Sequence, residues 1–244
     1  MNIANIDRDI LKIDTPQMIE VDRLMIEEYH IELIQMMENA GRCLAIVARD
    51  VFLDNDPENK SICILAGTGG NGGGALVCAR RLSNWGANVS VVLTGEDKNM
   101  TKVPKHQLDI LRRMGVRISV AEIYDEEFDL IVDGIIGYSV SGDPYGTAKE
   151  MIDWANMSRT KVLSLDTPSG LDLTTGIIYS PTIKADATLT LAMPKKGLFS
   201  KTSSDYVGAL YLGDISVPPR LYGEGSLGLK ADNFFRHSDI LKIF

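Results

Sequence analysis

Residues 61–81, SICILAGTGGNGGGALVCARR, join a short apolar run to a helix-like segment through a loop in which six of eight residues are glycine. Gly67, Gly69 and Gly72 satisfy the pattern G-x-G-x-x-G between a predicted strand and a predicted helix. In that context glycine lets backbone N–H groups approach an anion closely, and the helix N-terminus adds partial positive charge. The stretch therefore predicts an α/β fold with a phosphate or pyrophosphate site at the carboxyl end of a strand.

Two other interpretations of this glycine loop stay open. The loop could be a tight turn that packs the helix on the sheet and binds nothing. An ordinary dinucleotide oxidoreductase would use Glu96, after the second predicted strand, as its ribose partner. A Walker phosphate loop is excluded, because Gly73 stands where that motif requires lysine.

Apolar runs alternate with helical stretches in the rest of the chain, after two predicted helices within residues 16–52 that are broken near His30. Continuous apolar strands separated by helices are typical of a mostly parallel sheet. We predict one domain over residues 1–244, with a lead-in at 1–15 and a tail at 219–244. The predicted strands are Ile62–Ala66, Val89–Leu93, Arg117–Val120, Leu130–Asp133, Val162–Leu165 and Ala187–Leu191, with one more within residues 206–222; the later helices are Gly73–Trp85, Pro104–Arg113 and Thr147–Asn156.

The composition and charge exclude several classes of protein. The chain of 244 residues is 45% hydrophobic and carries a net charge of −8, which argues against binding of nucleic acid or an acidic membrane surface. The N-terminus is too charged for a signal peptide, and no apolar run is long enough to span a bilayer. Cys43, Cys63 and Cys78 lie in apolar settings without metal-ligand spacing, which indicates buried thiols in a reducing cytoplasm.

A second candidate segment is IVDGIIGYSVSGDPYG, residues 131–146, in which Asp133 closes a predicted strand. Asp133 could contribute to a site or could simply cap a turn, and the sequence favours neither. The near-match to a nucleophile elbow fails, because Ser141 stands in place of the second glycine of G-x-S-x-G. The three histidines, at 30, 106 and 237, are scattered, so a Ser-His-Asp hydrolase is not favoured.

Two further strand ends carry ionisable residues. Asp166, in LSLDTPSGLD, can act as a general acid or base once partial burial raises its pKa, although an Asx turn is the alternative. Lys195 could offer a cation to a phosphate or to developing negative charge, whereas Lys196 is predicted to be a solvated surface lysine. On the N-terminal helix, Asn39 is the residue best able to reach a site as a neutral donor and acceptor.

Six segments in a fixed order span residues 16–218, with other sequence between them: QMIEVDRLMIEEYHIELIQMMENAGR, the glycine loop, IVDGIIG, LDTPSGLD, ADATLTLAMPKKGL and GDISVP. In this order they resemble the YjeF N-terminal domain family, the NAD(P)H-hydrate epimerases. The resemblance implies a Rossmann-like three-layer αβα sandwich with a mostly parallel central sheet and N-terminal helices, commonly a homodimer. It implies a small-molecule substrate, NADH or NADPH hydrated at C6 of the nicotinamide ring. The implied reaction interconverts the R and S epimers of this hydrated coenzyme, so that a separate dehydratase that accepts only the S form can restore it.

The same resemblance implies roles for particular residues. A potassium ion would be bound by Asn71, Asp133 and Ser169, oxygen ligands of the kind that suits a hard cation. Asp166 would lie closest to the reacting carbon, and Lys195 matches the family lysine. The residues expected to hold the substrate, together with Asp166 and the candidate Asn39, are Gly69, Gly70, Asn71, Gly72, Gly73, Gly74, Gly137, Tyr138, Ser139, Val140, Ser141, Gly142 and Asp143.

The chain departs from the family's usual loop, G-x-G-N-N-G-G-D-G, at several positions. Gly70 replaces the first asparagine, Gly74 the aspartate and Ala75 the last glycine, while Tyr138-Ser139 replace Thr-Gly and His30 replaces a glycine. These departures keep open a second hypothesis, a nucleotide- or protein-binding module of the same fold with little catalysis. A conventional dehydrogenase is the least favoured of the three readings, because no motif contains a proton-relay histidine.

Overall fold

A nine-stranded sheet forms the centre of the protein in a computed structural model, which describes residues 3–6 and 10–244. The strand order is β1-β9-β8-β7-β6-β5-β2-β3-β4. Only the β8–β9 pair is antiparallel among these described strands, so the sheet is mostly parallel as predicted. The strands are β1 Ala4–Asn5, β2 Ser61–Ala66, β3 Asn88–Leu93, β4 Arg117–Val120, β5 Leu130–Gly134, β6 Val162–Leu165, β7 Ala187–Leu191, β8 Ala209–Gly213 and β9 Ile240–Lys242.

The helices surround this sheet and include two that precede β2. They are α1 Thr15–Glu27, α2 Leu33–Val47, which continues as a π-helical turn over Ala48–Phe52, α3 Gly70–Asn84, α4 Lys102–Arg113, α5 Gly146–Met157 and α6 Ser204–Val207. The predicted break between α1 and α2 lies at His30, whose φ of 54° is left-handed. A non-glycine residue in that conformation costs about 1 kcal/mol.

The two faces of the sheet carry different helices. Ile62 and Ile64 of β2 belong to the apolar cluster that includes α2, α3 and α4. Cys63 and Leu65, which alternate with them, belong to the cluster that includes α5. Because successive strand residues point to opposite faces, this division confirms the predicted three-layer sandwich. The three cysteines are buried and carry free thiols, and among the described residues no helix is long and apolar enough to cross a membrane.

The sheet has a switch point between β2 and β5. From β2 the chain proceeds outward to β3 and β4, then returns to the other side of β2 as β5 and continues outward to β6, β7 and β8. Open α/β sheets bind ligands in the crevice outside the carboxyl ends of strands at such a point. The glycine loop follows β2 and the loop around Gly137 follows β5, so the topology brings both candidate segments to this crevice.

Candidate active site

A cleft of about 580 Å³ lies outside the carboxyl ends of β2, β5, β6 and β7. Its walls combine helices α1 and α2 with the loops that follow these strands. The polar lining includes Asp22, Asn71, Tyr138, Asp166 and Lys195. The apolar lining includes Met18, Leu33, Met36, Met37, Ala40, Leu165, Leu191 and Ile215. An apolar cleft with a few polar groups is the usual form of a small-molecule site.

The first part of the glycine loop is open to the cleft. Gly69 and Gly70 line it, and a Cβ added at either residue would meet no atom within 4 Å. Helix α3 begins at Gly70, three residues earlier than predicted. The first N–H groups of a helix have no partner within it and carry partial positive charge. This opening therefore offers a backbone site for an anion.

The other glycines of the loop serve packing. A Cβ at Gly67 would lie 2.0 Å from the carbonyl oxygen of Ile135, and one at Gly72 would lie 1.9 Å from that of Gly67. A Cβ at Gly73 would lie 2.6 Å from the Met37 sulfur. None of these glycines has a positive φ. Close packing of helix and sheet thus accounts for these three glycines, and neither Gly72 nor Gly73 lines the cleft.

Gly74 lies at the contact between α3, α2 and β6. A Cβ there would lie 2.7 Å from Leu165 Cδ2 and 3.9 Å from the Ala40 Cβ. Gly74 also lines the cleft, so a larger side chain would have to displace the tip of Leu165 at the cleft floor. The absence of a side chain at Gly74 therefore allows α2, α3 and β6 to approach closely.

Asp166 and Lys195 form a buried ion pair in the cleft. The Lys195 ammonium donates to Asp166 Oδ1 at 2.5 Å, and both side chains are almost fully buried, with 1% and 8% exposed. Asp166 Oδ1 also accepts from the Thr190 hydroxyl and the Leu191 N–H, each at 3.2 Å. The Asx-turn alternative is thereby excluded, because these partners lie 24 to 29 residues away.

The two oxygens of Asp166 have different surroundings. Oδ2 accepts no hydrogen bond from the residues that the structure describes, so it remains available to a molecule in the cleft. Asp166 also has a left-handed backbone, with φ of 62°. Such conformations persist when surrounding structure holds them, and they cluster at functional sites.

Lys195 directs its charge into the protein. Beyond Asp166, its ammonium donates to the Leu191 carbonyl at 2.8 Å and the Thr190 hydroxyl at 3.3 Å. An ammonium has three donors, and these three partners use all of them. Lys195 therefore holds the Asp166 carboxylate in place. Lys196 is half exposed and pairs with Asp14, consistent with a surface lysine.

Asp133 and Ser169 form a second buried cluster beside the cleft. Asp133 is fully buried and accepts from the Ser169 hydroxyl at 2.5 Å, the Ser169 N–H at 2.9 Å and the Ser164 hydroxyl at 2.8 Å. A weaker bond from the Ile135 N–H, at 3.2 Å, shows that Asp133 also caps its own turn. Burial raises the pKa of the Asp133 carboxyl, and these donors oppose that shift.

The donor set around Asp133 fits a hard cation. Asp133 has only neutral hydrogen-bond partners among the described residues, so its charge lacks a counter-ion. Asn71, which packs its side chain on Gly137, has an amide nitrogen that is buried without a partner in the described protein. A carboxylate, a hydroxyl and an amide oxygen are ligands that hard cations prefer. Asn71, Asp133 and Ser169 could therefore hold such an ion.

The loop after β5 divides between two depressions. Gly137, Tyr138 and Ser139 line the cleft. Ser139 also lines an adjoining depression of about 670 Å³, which contains the rest of the predicted loop. Its further lining residues are Thr68, Thr94, Gly95, Asn99, Ile136, Val140, Ser141, Gly142, Asp143, Pro144, Tyr145, Gly146, Thr147 and Ala148. The two depressions together form a continuous surface past the N-terminus of α3.

Asn39 does not line the cleft, contrary to our prediction. Helix α2 presents Met36, Met37 and Ala40 to it instead. The neighbouring Glu38 pairs with Arg80 of α3 at 2.5 Å, so this side of α2 packs on α3. The polarity of Asn39 had suggested a place in the cleft, but the orientation of α2 turns other residues toward it.

Asp22 is the cleft residue that sequence reasoning missed. It lies on α1 among Met18, Val21 and Met25, the residues of the buried face. Its Oδ2 accepts a hydrogen bond from the Tyr138 hydroxyl at 3.1 Å. A carboxylate at a core-facing position of an amphipathic helix was the available signal.

Comparison with known families identifies the chain. The profile of the family described as YjeF-related protein N-terminus matches residues 33–197, well over half of the chain. The chain belongs to this family. Among family members, the NAD(P)H-hydrate epimerase of Dehalogenimonas lykanthroporepellens is 40% identical over 220 residues, which cover 89% of this chain and 87% of that protein.

Other relatives of this YjeF-related chain include single and bifunctional proteins. The NAD(P)H-hydrate epimerase of Entamoeba histolytica is 31% identical over 84% of this chain and 88% of its own length. The bifunctional NAD(P)H-hydrate repair enzyme Nnr of Moorella thermoacetica is 34% identical over 84% of this chain, but the match spans only 40% of that enzyme. The crystal structure of the yeast protein ynu0 (YNL200c) matches 96% of this chain with a TM-score of 0.79 at 24% identity, which supports the fold.

Proposed function

We propose that the protein is an NAD(P)H-hydrate epimerase, an isomerase that interconverts the R and S epimers at C6 of hydrated NADH and NADPH. The observation that carries this is the buried Asp166–Lys195 pair, which leaves one carboxylate oxygen free in a cleft at the switch point of the sheet. Relatives named NAD(P)H-hydrate epimerase that match along most of their length support the same reaction.

The reaction requires proton transfer at one oxygen. The C6 hydroxyl lies on a carbon bonded to the ring nitrogen, so the substrate is a carbinolamine. It can invert by losing water to an iminium ion and regaining it on the other face, or by opening and reclosing the ring. Either route is served by a positioned carboxylate within hydrogen-bond reach of that oxygen. Asp166 Oδ2 is the group we assign to this role.

The shape of the site suggests how the coenzyme would lie. The pyrophosphate would bind at the open N-terminus of α3, beside Gly69 and Gly70. The damaged ring would occupy the apolar end of the cleft near Asp166 and Leu165. The adjoining depression after Ser139 would receive the remaining part of the dinucleotide.

A potassium ion is part of this proposal. Asn71, Asp133 and Ser169 would hold it. Ser169 donates to the buried Asp133 carboxylate, which lacks a counter-ion, and the Asn71 amide nitrogen is buried without a partner among the described residues. The bound ion would supply positive charge that offsets Asp133. Asp133 holds the Ser169 hydroxyl, and that hydroxyl accepts a hydrogen bond from the Ile136 N–H at 2.8 Å. These contacts would fix the loop before Gly137 for substrate binding.

Potassium should therefore stabilise the folded protein. Raising KCl at constant ionic strength, with choline chloride as the balance, should raise Tm, because an ion that binds only the native state stabilises it by mass action. Ser169→Ala should reduce this response, since it removes a ligand and leaves Asp133 in place. Calorimetric scans measure both effects; an equal Tm in the two salts for the wild type would contradict the potassium site.

Further parts of the proposal concern partners and location. Exposed apolar residues on α1, Ile19 at 52% and Ile26 at 40%, support a homodimer. The relatives described as bifunctional repair enzymes support functional coupling to an S-specific dehydratase. The three buried free thiols support a reducing cytoplasm. Sedimentation of the purified protein tests the dimer.

The epimerase activity has a direct test. The R hydrate of NADPH is incubated with the protein and an excess of S-specific dehydratase, and consumption of R is followed by chromatography. We expect R to disappear well above the spontaneous rate. If NADP or ADP-ribose binds tightly in calorimetry while R persists, the protein is a binding module and the epimerase proposal fails.

A further inference from the structure

The structure places a second carboxylate in the cleft, and its surroundings differ from those of Asp166. Asp166 directly follows strand β6 and pairs with the Lys195 ammonium. Asp22 lies on helix α1, and it accepts a hydrogen bond from the neutral Tyr138 hydroxyl. Among the described residues, no lysine or arginine forms an ion pair with Asp22. The two carboxylates therefore enter the same cleft from different elements and with different electrostatic partners.

A structural role alone does not explain a carboxylate at this position. Asp22 lies on α1 beside Met18 and Met25 of the apolar cluster, at the wall of the cleft, and its side chain is only partly exposed. Burying an unpaired carboxylate disfavours its charged form. Burial raises the pKa of the Asp22 carboxyl to about 6, opposed by the Tyr138 hydrogen bond and by the Lys195 charge.

Epimerisation through an iminium ion needs proton transfer on both faces of the ring. The leaving hydroxyl must be protonated on one face, and the water that adds must lose a proton on the other. A single fixed carboxylate is positioned for one face. Pairs of carboxylates whose environments differ divide the acid and base roles in many enzymes.

We propose that Asp22 is the second proton-transfer group of the epimerisation, serving the ring face opposite to that served by Asp166, with Tyr138 as its positioning residue. The inference rests on the proposed epimerase function and goes beyond it by assigning a new residue. It also gives a role to Tyr138, one of the positions at which this chain departs from the usual family loop.

The proposed step balances as follows. Neutral Asp22 donates its proton to the C6 hydroxyl, the C6–O bond breaks, and water leaves an iminium ion and an ionised Asp22. Water adds to C6 from the other face and gives its extra proton to the Asp166 carboxylate. The proton then passes from Asp166 to Asp22 through solvent, which restores both groups. The reverse reaction uses the same groups in opposite roles.

The titratable groups that face Asp22 come from four elements. Tyr138 lies in the loop after β5, Asp166 follows β6, Lys195 follows β7, and Tyr222 lies in the turn Pro219–Gly223. Burial raises the pKa of the Asp22 carboxyl to about 6. A protonated Asp22 predicts that kcat/KM for the R epimer falls as the pH rises through about 6.

The test compares Asp22→Asn with a matched control in the full chain. Glu27→Gln removes the same charge from the same helix, where the side chain is 60% exposed and pairs with Arg23. Loss of R is followed by chromatography from pH 5 to 8, with the spontaneous rate subtracted, and NADP binding is measured by calorimetry. We expect Asp22→Asn to lower kcat/KM about 100-fold or more near pH 6, to remove the pH dependence there, and to keep NADP affinity. Glu27→Gln should behave as the wild type.

Tyr138→Phe tests the role of Asp22 through a shift of the pH profile, which a purely structural role of Asp22 would not produce. Because the Tyr138 hydroxyl lowers the pKa of Asp22, its removal should move the limb of the pH profile upward. Unchanged rates and profile in Asp22→Asn, or equal losses of turnover and NADP binding, would overturn the role of Asp22 and leave the epimerase function intact. A wild type that consumes R no faster than buffer would overturn both.

Discussion

Asp166→Asn should lower kcat for epimerisation by about 10²–10⁴-fold, the contribution typical of a positioned acid or base, while NADP binding stays close to that of the wild type. Asparagine keeps the shape of the side chain and tolerates the left-handed backbone at this residue, whose φ is 62°. It cannot exchange a proton with the C6 hydroxyl. Chromatography of the R and S epimers and calorimetry with NADP measure the two quantities separately.

The same substitution should also affect stability, because it leaves the Lys195 ammonium buried without its counter-charge. Removing one member of a buried pair costs about 3–5 kcal/mol. The double variant Asp166→Asn with Lys195→Met should recover much of that loss and remain inactive, since an apolar side chain needs no counter-ion. Thermal and urea unfolding measure the difference.

A surface ion pair provides the control for Asp166. Asp153→Asn breaks an exposed Lys149–Asp153 pair on α5 and should change the free energy of unfolding by at most about 0.5 kcal/mol without altering turnover. If Asp166→Asn retained wild-type kcat, or lost NADP affinity as much as turnover, the assignment of Asp166 to proton transfer would be wrong.

Gly72→Ala should destabilise the protein by about 3 kcal/mol and greatly weaken NADP binding. The added Cβ would lie 1.9 Å from the carbonyl oxygen of Gly67, within the turn that leads from β2 into α3. That neighbour is backbone, so the turn itself has to move, and overpacking of this kind is costly. Urea unfolding and calorimetry with NADP check both parts of the result.

Gly70→Ala is the matched control for Gly72→Ala. Both changes add one methyl group to the first turn of α3, but the Cβ at Gly70 would meet no atom within 4 Å. The free energy of unfolding of Gly70→Ala should stay within about 1 kcal/mol of the wild type. Equal stability of the two variants would show that the close packing of the turn does not limit the fold.

Much of the fold could be predicted because it depends on local periodicity. Strands β4, β6 and β7 begin and end at the predicted residues, and β6 is bounded on both sides by a charged residue, Lys161 and Asp166. Strands β1 and β9, of two and three residues, were missed because such short segments have no measurable period. The early start of α3 was missed because glycine is a poor helix former, although packing at Gly72 and Gly74 favours helix there.

The candidate site could be predicted where it lies at strand ends. Asp166, Lys195 and Gly69 follow predicted strands, and parallel topology places strand ends at one edge of the sheet. Asp22 could not be found in this way, because its place in the cleft depends on how α1 packs across the sheet. The direction of the Lys195 ammonium depends on tertiary contacts with Asp166 and Leu191, which no local pattern contains.

The switch point between β2 and β5 separates the parts of the site by origin. The open backbone of Gly69 and Gly70 belongs to the β2–α3 turn, whereas Asp166 and Lys195 follow β6 and β7 on the far side of β5. If the proposed function is correct, mutations in the turn should change coenzyme affinity while the Asp166–Lys195 pair keeps its geometry.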